Sequence, residues 1–215
     1  MVALFLTLII TAGIYKGYVS YTTSNEAQEQ VVEMQQSLRI GMERIIQDLR
    51  RAGMNNEDDK NAGFVTANAS FVNFTMDIPA NATATKGNGI LGTPLSLEED
   101  ITYKVEDRLL KRKVMDNLGN GLFYSVIANV DALNFVYLDD NDTSLGPSVT
   151  ATKLPKIRKV QVSLVVRTTR EDYRYTDNQP YKNLRGDTIF TPPANDHFRR
   201  RLLSREVKIR NMGLK

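Results

Sequence analysis

Asp196 and His197 stand side by side near the C-terminus, and Ser204 follows a few residues on, the residue types from which a hydrolase could be assembled. No nucleophile elbow or comparable motif frames them, so His197 reads as a loop histidine. It is the single histidine of the 215-residue chain, and there is no cysteine, which removes disulfides, thiolate or His-rich zinc sites and a cysteine nucleophile. The run Asp139-Asp140-Asn141-Asp142 has the oxygen density of a calcium loop but lacks the glycine spacing and terminal glutamate of an EF-hand, and reads as a solvated hairpin turn. Arg199-Arg200-Arg201 could grip phosphates or acidic lipid, yet it leads directly into Leu202-Leu203 and a strand pattern, and reads as a charged strand edge. Gly87-Asn88-Gly89 lacks the flanking strand and helix of a phosphate cradle and reads as a turn. Asn-x-Ser/Thr triplets at Asn68, Asn73, Asn81 and Asn141 are of a kind common by chance. The chain is therefore read as non-enzymatic, with no cofactor, no metal and no specific nucleic-acid or small-molecule ligand.

The elements around these residues are more telling than the residues themselves. Charged residues make up 25% and apolar residues 41%, the balance of a folded domain, and a net charge of +3 is too small to require a polyanionic partner. The average hides an asymmetry, because Met1 to Ile14 contains no charge at all. This run has no basic leader and no convincing small-x-small cleavage site, which argues against a cleaved secretory signal. As a helix it would rise roughly 21 Å against a hydrocarbon core of about 30 Å, so it is short of a span by about six residues. It is either a buried core helix or a membrane segment whose beginning lies upstream.

From Met1 to about Ala52 there is no proline, and nothing forces a helix to stop. After Tyr21 the pattern becomes amphipathic: Val31, Met34, Leu38, Ile45, Leu49 and Ala52 recur at helical spacing, while Glu26, Glu29, Glu33, Arg39, Glu43, Arg44, Asp48 and Arg51 occupy other positions. Gly53 supplies the stop. Tyr15, Tyr18 and Tyr21, with Lys16 beside them, follow the apolar run as an interfacial aromatic belt would.

Beyond Lys60 the period changes to two. Ser70–Met76, Leu133–Leu138, Lys159–Arg167 and Glu206–Arg210 read as strands, the third alternating until Val165-Val166 breaks the pattern. Turn formers at 86–89, 117–121, 139–142 and 191–193 separate them. A sheet with one apolar face needs a cover, and the stripe on Val31 to Leu49 can supply it. The fold class is α+β: a long N-terminal helix whose C-terminal half packs on an antiparallel β-sheet head. The divisions are 1–25 as an apolar transmembrane or filament-core helix, 26–53 as its amphipathic continuation, and 54–215 as the β-rich head.

At this point the chain resembles a known family, the type IV pilins and pseudopilins, and within it the minor pilins of the PilW type, which are similar to GspJ pseudopilins of type II secretion. The resemblance rests on MVALFLTLIITAGIY at the start and on EMQQSLRIGMERIIQDLRRAGM (Glu33 to Met54). It continues through Asp100–Tyr103 with Leu109–Arg112, then Val130 to Asp140, Ile157 to Arg167, and Phe198 to Asn211. In the family the apolar run follows a cleaved glycine and a Phe-Thr-Leu-Ile-Glu-Leu stretch. Six such residues upstream of Met1 would bring it to bilayer length, and the glutamate among them pairs with a neighbouring subunit's N-terminal amine during assembly.

The resemblance implies a structural subunit of a type IV pilus that primes assembly or sits in a tip complex. Its partners would be other major and minor pilins through the N-terminal helix, the inner membrane before assembly, and the assembly platform. It would be a single-pass protein of the bacterial cytoplasmic membrane with a periplasmic head, passing into an extracellular filament. Leu4, Phe5, Leu8, Ile9, Ile14, Tyr15 and Tyr18 are the residues expected to pack in filament or membrane. Val31, Met34, Leu38, Ile45 and Leu49 are those expected to pack helix on head. Two alternatives stay open: a GspJ-type pseudopilin, and a signal-anchored periplasmic binding or adhesive domain, or a hydrolase using His197.

Overall fold

The structure is a computed structural model, and it describes residues 2–54, 62–77, 99–115 and 120–213, apart from the side chains of Val2, Phe5, Leu6 and Ile9. The turn expected at 86–89 and the triplet at Asn81 fall outside these residues, as does most of the turn at 117–121. Uninterrupted by proline, α1 runs from Val2 to Arg51, 50 residues or about 75 Å. It stops where the sequence requires: Gly53 takes φ +72, a left-handed conformation that disfavours any Cβ, and its N–H donates to Thr75 O at 3.0 Å.

Alternating segments then form the head. The strands are β1 (Phe64–Ala67), β2 (Phe71–Thr75), β3 (Asp100–Glu106), β4 (Leu109–Met115), β5 (Gly121–Ile127), β6 (Val130–Leu138), β7 (Lys159–Arg167), β8 (Tyr181–Lys182), β9 (Thr188–Phe190) and β10 (Arg200–Lys208). Single 3-10 turns lie at Leu154–Lys156 and Arg210–Gly213. Strands β1 to β5 make an antiparallel meander in chain order. The order β10-β7-β6 makes a second antiparallel sheet, and β8 and β9 pair as a small ribbon.

One apolar core joins these layers. Met34, Leu38, Met42, Ile45, Leu49 and Ala52 of α1 are buried in one cluster with Phe74, Ile101, Tyr103 and Leu110 of the meander and with Val160, Val162, Leu164 and Val166 of β7. Both faces of the three-stranded sheet are covered at one end, which explains the break in alternation on β7. Val165 is buried although it points away from that cluster. The segment bearing β8 and β9 lies over the far face of β6, with Asn183 Nδ2 donating to Asn134 Oδ1 at 3.1 Å.

Candidate functional site

Among the described side chains, every one from Ala3 to Tyr21 is exposed. Leu4, Leu8, Ile10, Ile14, Tyr15, Tyr18, Val19 and Tyr21 are all exposed, most of them by well over half of their surface. Phe5 and Ile9 lie on the same helical segment, with side chains outside the described ones. Polar groups in this stretch are turned inward on the helix: Thr11 and Thr23 hydroxyls donate to the carbonyls four residues back, Thr7 O and Val19 O, each at 2.7 Å. Such back-bonding satisfies a hydroxyl without water, so these threonines do not interrupt the apolar surface that precedes Lys16. Gly13 and Gly17, one turn apart, cut a notch in it, since a Cβ at either would meet nothing within 4 Å. Small residues at this spacing let helices approach closely. Nevertheless, among the described residues no helix is long and apolar enough to cross a membrane.

Exposure on the outer side of α1 continues beyond the aromatic residues. Val32 and Ile40 remain exposed while Met34 and Leu38 are buried and Val31 is half-buried against the core. The rest of that outer side is polar, with Glu33, Gln36, Arg39, Glu43 and Arg50 exposed, so the apolar surface of the helix is concentrated at its free end.

Attachment of this helix to the head is partly polar, and here the sequence reading needs correcting. Asp48, which the sequence reading leaves off the apolar stripe, is buried beneath the meander. Its Oδ2 accepts a hydrogen bond from the Tyr103 hydroxyl at 2.6 Å and another from Arg112 Nε at 2.7 Å, with Arg44 Nε at 3.6 Å. Tyr103 and Arg112 face one another across β3 and β4, so the sheet register itself places both donors under one carboxylate. Burial, and then the Asp48 charge, push the Tyr103 phenol well above its ordinary range, and it stays a neutral donor. Two turns earlier, Gly41 brings the helix so close that a Cβ there would lie 2.6 Å from Ile127 Cδ1.

The end of the helix is closed by the 3-10 turn Arg210–Gly213. Asn211 Nδ2 donates to Arg50 O at 3.2 Å and to Ala52 O at 3.3 Å, and Met212 packs on Gly53 and Gly63.

The residues that suggested chemistry are occupied elsewhere. Asp196 holds Arg200 through both oxygens at 2.8 and 2.9 Å, and this hydrogen bonding keeps its carboxyl below the usual range against the opposing effect of burial. Ser204 Oγ pairs with Ser163 Oγ at 2.8 Å, and His197 Nδ1 meets Tyr175 O at 2.7 Å, so the three residues do not converge as a triad. Within the arginine triplet, the charged-edge reading fits Arg201 alone. Arg200 is buried, bound also to Asp131 Oδ2 at 2.6 Å and Asp177 Oδ2 at 3.1 Å, and Arg199 is clamped on Asp172 at 2.8 and 2.9 Å. Asp139 Oδ1 accepts from the N–H groups of Asn141 and Thr143 at 2.9 Å each, and Lys159 holds Asp142, so the acidic run stabilises its own turn.

Comparison with known proteins bears on this arrangement from two directions. Residues 105–211 match the family described as type IV pilus-assembly protein W, a stretch that runs from the end of β3 to the last turn and leaves the helix out. No curated protein sequence matches the chain significantly. Among solved structures, a type IV-like pilin from Thermus thermophilus is similar at 14% identity with a TM-score of 0.56, over 83% of this chain and 97% of that one. At that identity the likeness is one of fold. Sequence match and fold together mark the chain as PilW-like, a pilus-assembly W-type head on a type IV pilin-like fold.

Proposed function

We propose that the protein is a minor pilin, a non-enzymatic subunit that is held in the cell envelope by its N-terminal helix and drawn into a type IV pilus. The observation that supports this reading most is the contrast along α1: one half is locked into the head, and the other projects with Leu4, Leu8, Ile14, Tyr15 and Tyr18 bare. Bare leucine on a folded protein invites association, since covering one such side chain contributes about 1.5–3 kcal/mol. Before assembly, lipid would cover this surface. Afterwards the stalks of other major and minor pilins would, with the Gly13–Gly17 notch allowing close approach and the assembly platform bringing subunits together.

Leu8→Asp tests the proposal. An aspartate in an apolar helical setting costs about 2.5–3.5 kcal/mol, enough to exclude the subunit from a helical bundle. Cells producing the variant should contain a folded head but little subunit in sheared filaments, measured by immunoblot against the wild type. Equal incorporation would overturn the reading. Loss of a secreted protein from the medium, with filaments unaffected, would favour the GspJ-type pseudopilin instead.

A further inference from the structure

The meander carries a group of three side chains that the proposed function does not use. Asn73, Thr102 and Lys113 stand opposite one another in register across β2, β3 and β4. Asn73 and Thr102 alternate with Phe74, Ile101 and Tyr103 of the apolar core, so the row lies on the face turned away from that core. Asp100 precedes Thr102 by two residues on β3 and shares its face. Its Oδ2 accepts from Lys113 Nζ at 2.8 Å, and its Oδ1 accepts from Asn73 Nδ2 at 2.5 Å. One carboxylate thus holds an amine on one oxygen and a carboxamide on the other.

Other lysine–carboxylate pairs of the head lack this setting. Lys111 on Glu106 and Lys159 on Asp142 rest on carboxylates that are 47% and 61% exposed, and among the described residues neither carboxylate also binds a carboxamide. Asp100 and Lys113 are only 18% and 20% exposed, and Asn73 and Thr102 are buried. Asn73 Nδ2 is fixed further by Thr102 Oγ1 at 2.9 Å and Ile101 O at 3.2 Å. The Lys113 stem lies over Gly121, where a Cβ would come within 2.8 Å of Lys113 Cδ. Two strand spacings, roughly 9.6 Å, separate Asn73 from Lys113, a gap that an extended lysine and an asparagine side chain can bridge together.

We propose that Lys113 and Asn73 join in an intramolecular isopeptide bond, with Asp100 as the proton carrier. Asp100 takes a proton from the Lys113 ammonium, and the freed lone pair on Nζ adds to Asn73 Cγ. Asp100 then passes that proton to Nδ2 and takes a second one from Nζ. The Nζ–Cγ bond forms, the Cγ–Nδ2 bond breaks, and the released ammonia carries the second proton away as ammonium, leaving Asp100 ionised again. No oxidant and no second substrate enter, because the fold itself holds amine, amide and carboxylate together. The product staples β2 to β4 across β3. Tyr103 and Arg112, which hold Asp48 on the other face, are the sequence neighbours of Thr102 and Lys113, so the bond braces the two strands that anchor the helix.

The intact mass of the purified full chain under denaturing conditions reads the bond directly. The expected value is the sequence mass less one ammonia, and tryptic digestion should yield a branched peptide that joins the segments holding Asn73 and Lys113. Lys113→Arg keeps an ion pair with Asp100 but has no nucleophilic amine, and Asp100→Ala removes the proton carrier. Both variants should show the full sequence mass, with circular dichroism verifying that each is folded. Wild-type protein that stays at full mass after prolonged incubation at neutral pH would overturn the proposal. So would an ammonia loss that persists in Lys113→Arg, because it would come from a succinimide elsewhere in the chain. The reading is confined to the head, and its outcome is independent of whether Leu8→Asp blocks filament entry.

Discussion

Single residues decide how firmly the helix holds the head, and Asp48 is foremost among them. A carboxylate taken out of water is tolerable only when its charge is met, and here a guanidinium and a phenol from adjacent strands meet it. Arg112→Ala leaves that charge buried with its main cation gone, and should lower the unfolding free energy by about 3–5 kcal/mol, measured by urea titration of the purified protein. A change below about 1 kcal/mol, the range of a surface pair, would show that water reaches the site and that the contact is incidental. Nothing in the sequence distinguishes Asp48 from Glu43 or Arg51, because the helical period places it at the margin of the apolar stripe and its partners lie more than fifty residues away. For the same reason Arg200 is unreadable from sequence: it stands between two arginines, and the carboxylates that bury it come from three separate segments, at Asp131, Asp177 and Asp196.

At the scale of elements the sequence is far more transparent. Helix α1 ends within two residues of its glycine, and β7 coincides with the alternating run Lys159–Arg167, because proline-free amphipathic periodicity and β-branched alternation are local properties. The meander is harder to see. β4, LLKRKVM, alternates lysine with residues that are only partly apolar, and β5 lacks the polar partner residues that make a half-buried strand legible. What the sequence withholds is the distance between elements, and Gly41 fixes one such distance. It reads as a harmless helix glycine, yet the helix approaches β5 and β4 at that point closely enough for a Cβ to press on both Ile127 and Leu110. Gly41→Ala gains about 1 kcal/mol of helix propensity that offsets much of the crowding, since Ile127 Cδ1 is the mobile end of a side chain. Gly41→Leu cannot be accommodated so easily and should cost about 1–3 kcal/mol of overpacking, recovered in part by Ile127→Ala in the same chain. Thermal unfolding of the Gly41→Leu and Ile127→Ala single variants and of the double variant measures this; additive losses would show that the pair does not share the gap.

The whole molecule is a folded head on a helix that extends far beyond it, and its stability should reside in the head alone. Among the described residues, none of the buried core precedes Met34, and the first hydrogen bond from the helix to the loops of the head is at Gln30, whose Oε1 accepts the Arg170 N–H at 3.0 Å. Deleting residues 1–25 is expected to leave the head's melting temperature unchanged by near-ultraviolet circular dichroism while abolishing incorporation into filaments. A lower melting temperature would mean that the free end of the helix supports the core after all. The same geometry governs how the molecule bears tension. A pull along the stalk enters the head parallel to the helix axis, so the buried side chains from Met34 to Ala52 and the Asp48 contacts are loaded together in shear. They cannot be peeled apart one at a time. Asn211 and Met212, which grip the last turn, share that load at the far end, so the 3-10 turn that carries them acts as a stopper behind the helix.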